Sequence, residues 1–114
     1  MKADRGIAYA ALGKYQQAIE DYDRAIQLQP KLAVLYIVQG IAYAALDKYK
    51  QACLDFDRAI EIDPENAVAY SNRGLAHAKL GDRQHATEDL KTAAKLGSEE
   101  AKNLLKSQGI SWRP

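Results

Sequence analysis

No apolar run in this chain of 114 residues approaches the roughly 18 residues that a bilayer span needs, and no secretory leader is visible. Charge of one sign is missing too, since 16 basic residues stand against 15 acidic ones for a formal net charge of +1. Such a balance builds no field that would recruit nucleic acid or an anionic membrane. The single cysteine, Cys53, has no partner for an internal disulfide, which points to a reducing, cytoplasmic compartment. His77 and His85 are the only histidines and have no third ligand at a useful spacing, so neither a metal nor a cofactor is expected. Asp21 and Asp23, and likewise Asp55 and Asp57, look like carboxylate dyads, but residues two apart on a helix point in different directions. No catalytic constellation remains, and the chain reads as a non-enzyme.

What the chain has is repetition. The stretch from Gly6 to Pro30 and the stretch from Gly40 to Pro64 share 17 of 25 aligned residues, and a diverged third copy starts at Gly74, so equivalent positions recur every 34 residues. Within a copy the apolar positions follow helical spacing: Ile7, Ala8, Ala11 and Leu12, then Tyr15, Ala18, Ile19, Tyr22, Ala25 and Ile26. Each copy therefore holds two helices, broken at Gly13-Lys14, Asp47-Lys48 and Gly81-Asp82, where glycine or aspartate tolerates a positive φ. Pro30 and Pro64 close the second helices, because proline cannot donate the helical hydrogen bond. Ser98 followed by Glu99 and Glu100 opens a further helix that stops at Gly109. Small residues at Gly6, Gly40 and Gly74 and at Ala18, Ala52 and Ala86 let paired helices approach, and Tyr22, Phe56 and Leu90 fill the space between them. One helix pair cannot bury its apolar face alone, so the pairs stack.

The period, the glycine and alanine spacing, Tyr36 and Tyr70, the aromatic residue in the second helices and the closing prolines together resemble the tetratricopeptide repeat. The resemblance implies an all-α, right-handed superhelical solenoid of antiparallel helix pairs, here one domain over residues 1–114. Its copies are expected over about 1–32, 33–66 and 67–98, with a capping helix and tail over 99–114. The first copy lacks its opening residues, which raises the expectation that the chain is a fragment of a longer array, and the third has His77 and Arg83 where the second has Tyr43 and Tyr49.

Two sets of residues are candidates for a role. Asp21, Asp55 and Asp89 recur, as do Arg5 and Arg73, with Gln39 at the middle position. In an antiparallel pair these face each other, so Arg5 is expected on Asp21, Arg73 on Asp89 and Gln39 on Asp55, as structural pairs rather than an anion site. The resemblance implies that the first helices line a concave groove for peptides. Helical geometry assigns to that groove Ile7, Val34, Ile37, Val38, Ile41, Val68, Ser71, Asn72, Leu75 and Lys79, a strongly apolar set suited to an apolar or amphipathic protein segment. One branch of the family grips chaperone C-terminal tails through a polar clamp. The matching positions here are Ala3, Ile7, Val38, Val68 and Asn72, so chaperone tails are expected to be poor partners. The alternative function is a structural module whose groove or open end is filled by homo-oligomerisation.

Overall fold

The computed structural model describes residues 2–113, so the outermost ends of the expected repeat boundaries, residues 1 and 114, lie outside the described residues. Among the described residues seven helices follow one another: α1 (Lys2–Ala11), α2 (Tyr15–Leu28), α3 (Ala33–Ala45), α4 (Tyr49–Ile62), α5 (Ala67–Lys79), α6 (Arg83–Lys95) and α7 (Glu99–Ser107). There is no strand among the described residues. Each helix packs on its chain neighbour, and α1, α3 and α5 also touch one another in turn, which makes the fold an all-α stack of helix pairs with one shared face of first helices. No helix of the described residues is long and apolar enough to cross a membrane.

The turn inside each pair has one construction. Gly13, Asp47 and Gly81 take φ of 76°, 60° and 83°, and the next amide returns to the carbonyl five residues back: Lys14 to Tyr9, Lys48 to Tyr43, Asp82 to His77, at 2.8, 2.9 and 2.9 Å. This closure satisfies carbonyls that a helix end leaves unpaired. Among the described residues Asp47 is the one with a side chain in that left-handed conformation, a position at which glycine carries no Cβ penalty. Asp47→Gly is therefore expected to stabilise the domain by about 0.5–1 kcal/mol in urea unfolding, and Asp47→Val to destabilise it. A loss on Asp47→Gly would mean that its hydrogen bond from the Tyr49 hydroxyl, at 2.9 Å, outweighs the backbone strain.

Close approach explains the recurring glycines. A Cβ on Gly40 would sit 2.6 Å from Cε1 of Phe56, and one on Gly6 would sit 2.7 Å from Cε1 of Tyr22, both rings being almost fully buried. Buried residues then bind one pair to the next: Ala18, Ile19 and Tyr22 meet Ala42, and Ala52, Cys53 and Phe56 meet Ala76. The last cluster joins Leu90, Ala93 and Ala94 of α6 to Ala101 and Leu105 of α7. Ile110 and Trp112 fold back onto it, with Trp112 lying between Lys102 and Arg113 at 5.1 and 5.2 Å from its ring centre. The apolar face of α6 around Leu90, Ala93 and Ala94 is thus covered by α7 and the segment after it. Ser98 caps α7 by accepting the Ala101 amide at 3.1 Å, and Glu99 and Glu100 lie at the positive end of that helix dipole.

Candidate functional site

The face shared by α1, α3 and α5 carries four large aliphatic side chains that remain about half exposed: Ile7 (52%), Val34 (51%), Ile41 (42%) and Val68 (53%). Val38, Leu75 and Asn72 are half-buried beside them, and Lys79 is exposed at one end. The Asn72 side-chain amide donates to the Val68 carbonyl of its own helix at 3.0 Å. Two residues assigned to this face from the sequence are not on it. Ile37 and Ser71 are each 5% exposed, and Ile37 packs against Ala59 of α4 and Ala69 of α5. An inner first helix is contacted by its own second helix, the preceding second helix and the neighbouring first helices, so its buried arc is wider than a two-sided reading allows.

The exposed face runs into a cavity of about 510 Å³ between α5, α6 and α7. Leu75 belongs to both, while Ala78, Leu90, Leu104 and Ile110 form the apolar remainder and Arg83 and Gln108 supply polar groups. The sequence reading missed this part of the site. Its signal was the consecutive Leu104 and Leu105, since one helix face can bury only one of them: Leu105 is fully buried and Leu104 lines the cavity.

Ionic contacts brace the helices that carry the face. Arg5 donates from Nε and Nη2 to the two carboxylate oxygens of Asp21 at 2.9 and 2.7 Å, and Arg24 reaches the same carboxylate at 3.1 Å. Arg73 makes the same fork with Asp89, both bonds at 2.8 Å, and extends Nη1 to Asp57 of the preceding second helix at 2.9 Å. The two carboxylates hold the Arg73 guanidinium well above its already high ordinary pKa, with the Asp89 hydrogen bond the largest cause. Gln39 does not follow the expected pattern. Its amide donates to Asp23 of the preceding helix pair at 2.6 Å and to the Ile19 carbonyl at 3.4 Å, leaving Asp55 aside. The physical reason is reach, because a guanidinium fork serves two carboxylates at once whereas one primary amide aimed backward has no donor left for the forward one.

The histidines lie together at the α5–α6 turn, with ring centres 5.4 Å apart. His85 Nδ1 is hydrogen-bonded to the Asp82 carboxylate, which raises the His85 pKa, and His77 Nε2 is 3.7 Å from Asp89. No group of three potential metal ligands is found among the described residues.

Comparison with known proteins agrees with this architecture. Models described as tetratricopeptide repeat match residues 3–32 and 67–96, and one described as TPR repeat matches 40–81. No curated protein matches the chain. Among solved structures, the first TPR of Spaghetti (RPAP3) bound to the HSP90 peptide SRMEEVD is 30% identical, with a TM-score of 0.88, over 95% of this chain and 89% of that one. The second TPR domain of human RPAP3 in complex with the HSP70 peptide SGPTIEEVD is 32% identical, with a TM-score of 0.87, over 96% and 93%. The Arabidopsis OM64 TPR domain is 29% identical, with a TM-score of 0.89, over 93% and 89%.

Two of these neighbours overturn the expectation that chaperone tails are poor partners, because they were solved with such tails in place. That expectation weighed five polar positions only. Both peptides also carry apolar side chains, Met and Val in one and Ile and Val in the other, beside their acidic residues. A chaperone tail is therefore itself an amphipathic segment, and an apolar face does not speak against it.

Proposed function

Because this chain belongs to the tetratricopeptide repeat family, we propose that it is a protein-interaction module holding an amphipathic peptide along the face of α1, α3 and α5. The observation that carries this reading is that Ile7, Val34, Ile41 and Val68 remain about half exposed on α1, α3 and α5, the first helices that touch one another in turn. Soluble domains seldom leave such a group uncovered without a use for it. The family generally serves as a scaffold without catalysis. On this reading the whole chain is one interaction domain, with helix pairs over about 1–32, 33–66 and 67–98 and α7 as its cap.

The peptides of the neighbours define a probe: an apolar side chain three residues ahead of a Val, with two Glu between them and an Asp at the end. Apolar contact supplies the affinity on this reading, and Arg83 at the cavity and the exposed Lys79 at the end of α5 are cations that acidic residues of the peptide can meet. Four aliphatic groups at roughly 1.5–3 kcal/mol each, set against an association cost of about 4–15 kcal/mol, put the affinity at about micromolar or weaker. Fluorescence anisotropy with labelled SRMEEVD and SGPTIEEVD tests it. The combined change Ile41→Ser and Val68→Ser is expected to weaken binding about tenfold or more with the far-ultraviolet circular dichroism unchanged. Binding that is equal in wild type and variant moves the site off this face. Absence of binding to either peptide removes the acidic-tail class.

A further inference from the structure

In the second repeat one carboxylate has been left without its cation. At the third repeat Arg73 sits between Asp57 and Asp89 and bonds both, and at the first Arg5 forks onto Asp21. The equivalent place between Asp23 and Asp55 holds Gln39, whose amide goes to Asp23. Oδ2 of Asp55 is sealed from solvent and has no hydrogen-bond partner. We propose that this gap makes the joint between the first and second repeats a proton-sensitive element of the stack, tight when Asp55 is protonated and loosened when it ionises.

The groups facing Asp55 all point the same way. Asp23 comes from α2 and repels a second negative charge, while from α3 there are only the neutral Gln39 and the Tyr43 hydroxyl, itself raised in pKa by burial and by Asp23 and Asp55. From α5, the nearest equivalent cation, Arg73, is committed to Asp57 and Asp89. Burial first and Asp23 second lift the Asp55 carboxyl to about 7. Asp23 belongs to the first helix pair and Asp55 to the second, so their repulsion acts across the boundary at which one repeat stacks on the next.

The direction follows from linkage. A carboxyl with a folded pKa above its unfolded value binds more protons in the folded state between the two values, so stability falls as pH rises through that window and levels off above the folded pKa. For Asp55 the window runs from about 4 to about 7. His85, paired with Asp82, loses its contribution in the same direction as pH rises, so the wild-type profile alone does not isolate Asp55.

The test compares the intact chain with Asp55→Asn and Gln39→Arg in urea unfolding at pH 5.5, 7 and 8. The wild-type unfolding constant is expected to rise about tenfold more between pH 5.5 and 8 than that of Asp55→Asn, after discounting for partial solvent access. Gln39→Arg, which supplies the missing fork, is expected to remove the same difference. Identical pH slopes in wild type and Asp55→Asn overturn the proposal. Should either variant fail to fold, the carbon-13 carboxyl shift of Asp55 in the wild type decides: a midpoint within two units of neutrality supports the joint, and a midpoint near 4, the ordinary carboxylate value, overturns it.

Discussion

Ile37→Glu is expected to unfold the protein at neutral pH, while Ile41→Glu, one helical turn further along α3, leaves it folded. Ile37 is 5% exposed among Ala59 and Ala69, in a cluster to which no cation belongs. Replacing it loses the burial of a large aliphatic side chain, about 1.5–3 kcal/mol, and puts a carboxylate into an apolar seam at several kcal/mol more. Together these approach the whole stability of an ordinary domain, about 5–15 kcal/mol. Ile41 is 42% exposed, so a glutamate there projects into water and costs little. Far-ultraviolet circular dichroism at pH 7 reads the difference, and partial recovery of helix for Ile37→Glu at acid pH would show that the buried charge, rather than the altered shape, is responsible. A cooperative unfolding transition for Ile37→Glu at wild-type denaturant concentration would mean that α3 presents a different arc to the groove.

The contrast between Ile37 and Ile41 also marks where the sequence stops being legible. The fold was readable because its evidence is periodic: at a spacing of 34 residues the turn recurs three times, at Gly13, Asp47 and Gly81, and the closing proline twice, after α2 and α4. The face of an inner helix is different. Helix α3 reads AVLYIVQGIAYAA, apolar nearly all round, so no polar stripe fixes its rotation and Ile37, Val38 and Ile41 look alike. Ser71 misleads in the opposite way, a polar residue that the packing nonetheless buries. The cavity at α7 was hidden for a third reason, since it depends on how the tail after Gly109 folds back, and no repeat of that tail exists to calibrate it.

Pairing across the stack was half legible for a related reason. Equivalence between copies shows which residues of one pair stand opposite each other, and Arg5 with Asp21 and Arg73 with Asp89 are of that kind. It says nothing about contacts to the preceding copy. Those need side-chain length: Arg73 spans to Asp57 as well, and Gln39 reaches only Asp23.

Arg73→Met should then be the costliest single change among the charged residues, about 2–3 kcal/mol in urea unfolding. Its side chain is 22% exposed and that of Asp89 is 9% exposed, which places the pair between an exposed ion pair, worth about 0–1 kcal/mol, and a buried one, whose disruption costs about 3–5. Asp57, at 48% exposure, can rehydrate when the guanidinium is gone. Asp89 cannot, and is left with only His77 at 3.7 Å. Methionine keeps most of the apolar stem, so the loss reports the missing fork rather than lost packing. Arg73→Lys should recover only part of it, because one ammonium cannot hold both oxygens of Asp89 and also reach Asp57. Adding Asp89→Asn to Arg73→Met should restore about 1–2 kcal/mol by removing the stranded charge, a coupling that a double-mutant cycle measures directly. Arg58→Met is the control, since its contacts with Glu61 on the same helix and with Tyr36 of α3 are made by an exposed, solvent-screened side chain and should cost far less than the fork at Arg73. If Arg73 and Arg58 cost the same, the fork at Arg73 contributes no more than any surface pair, and the stack of α4, α5 and α6 is held by its apolar seams alone.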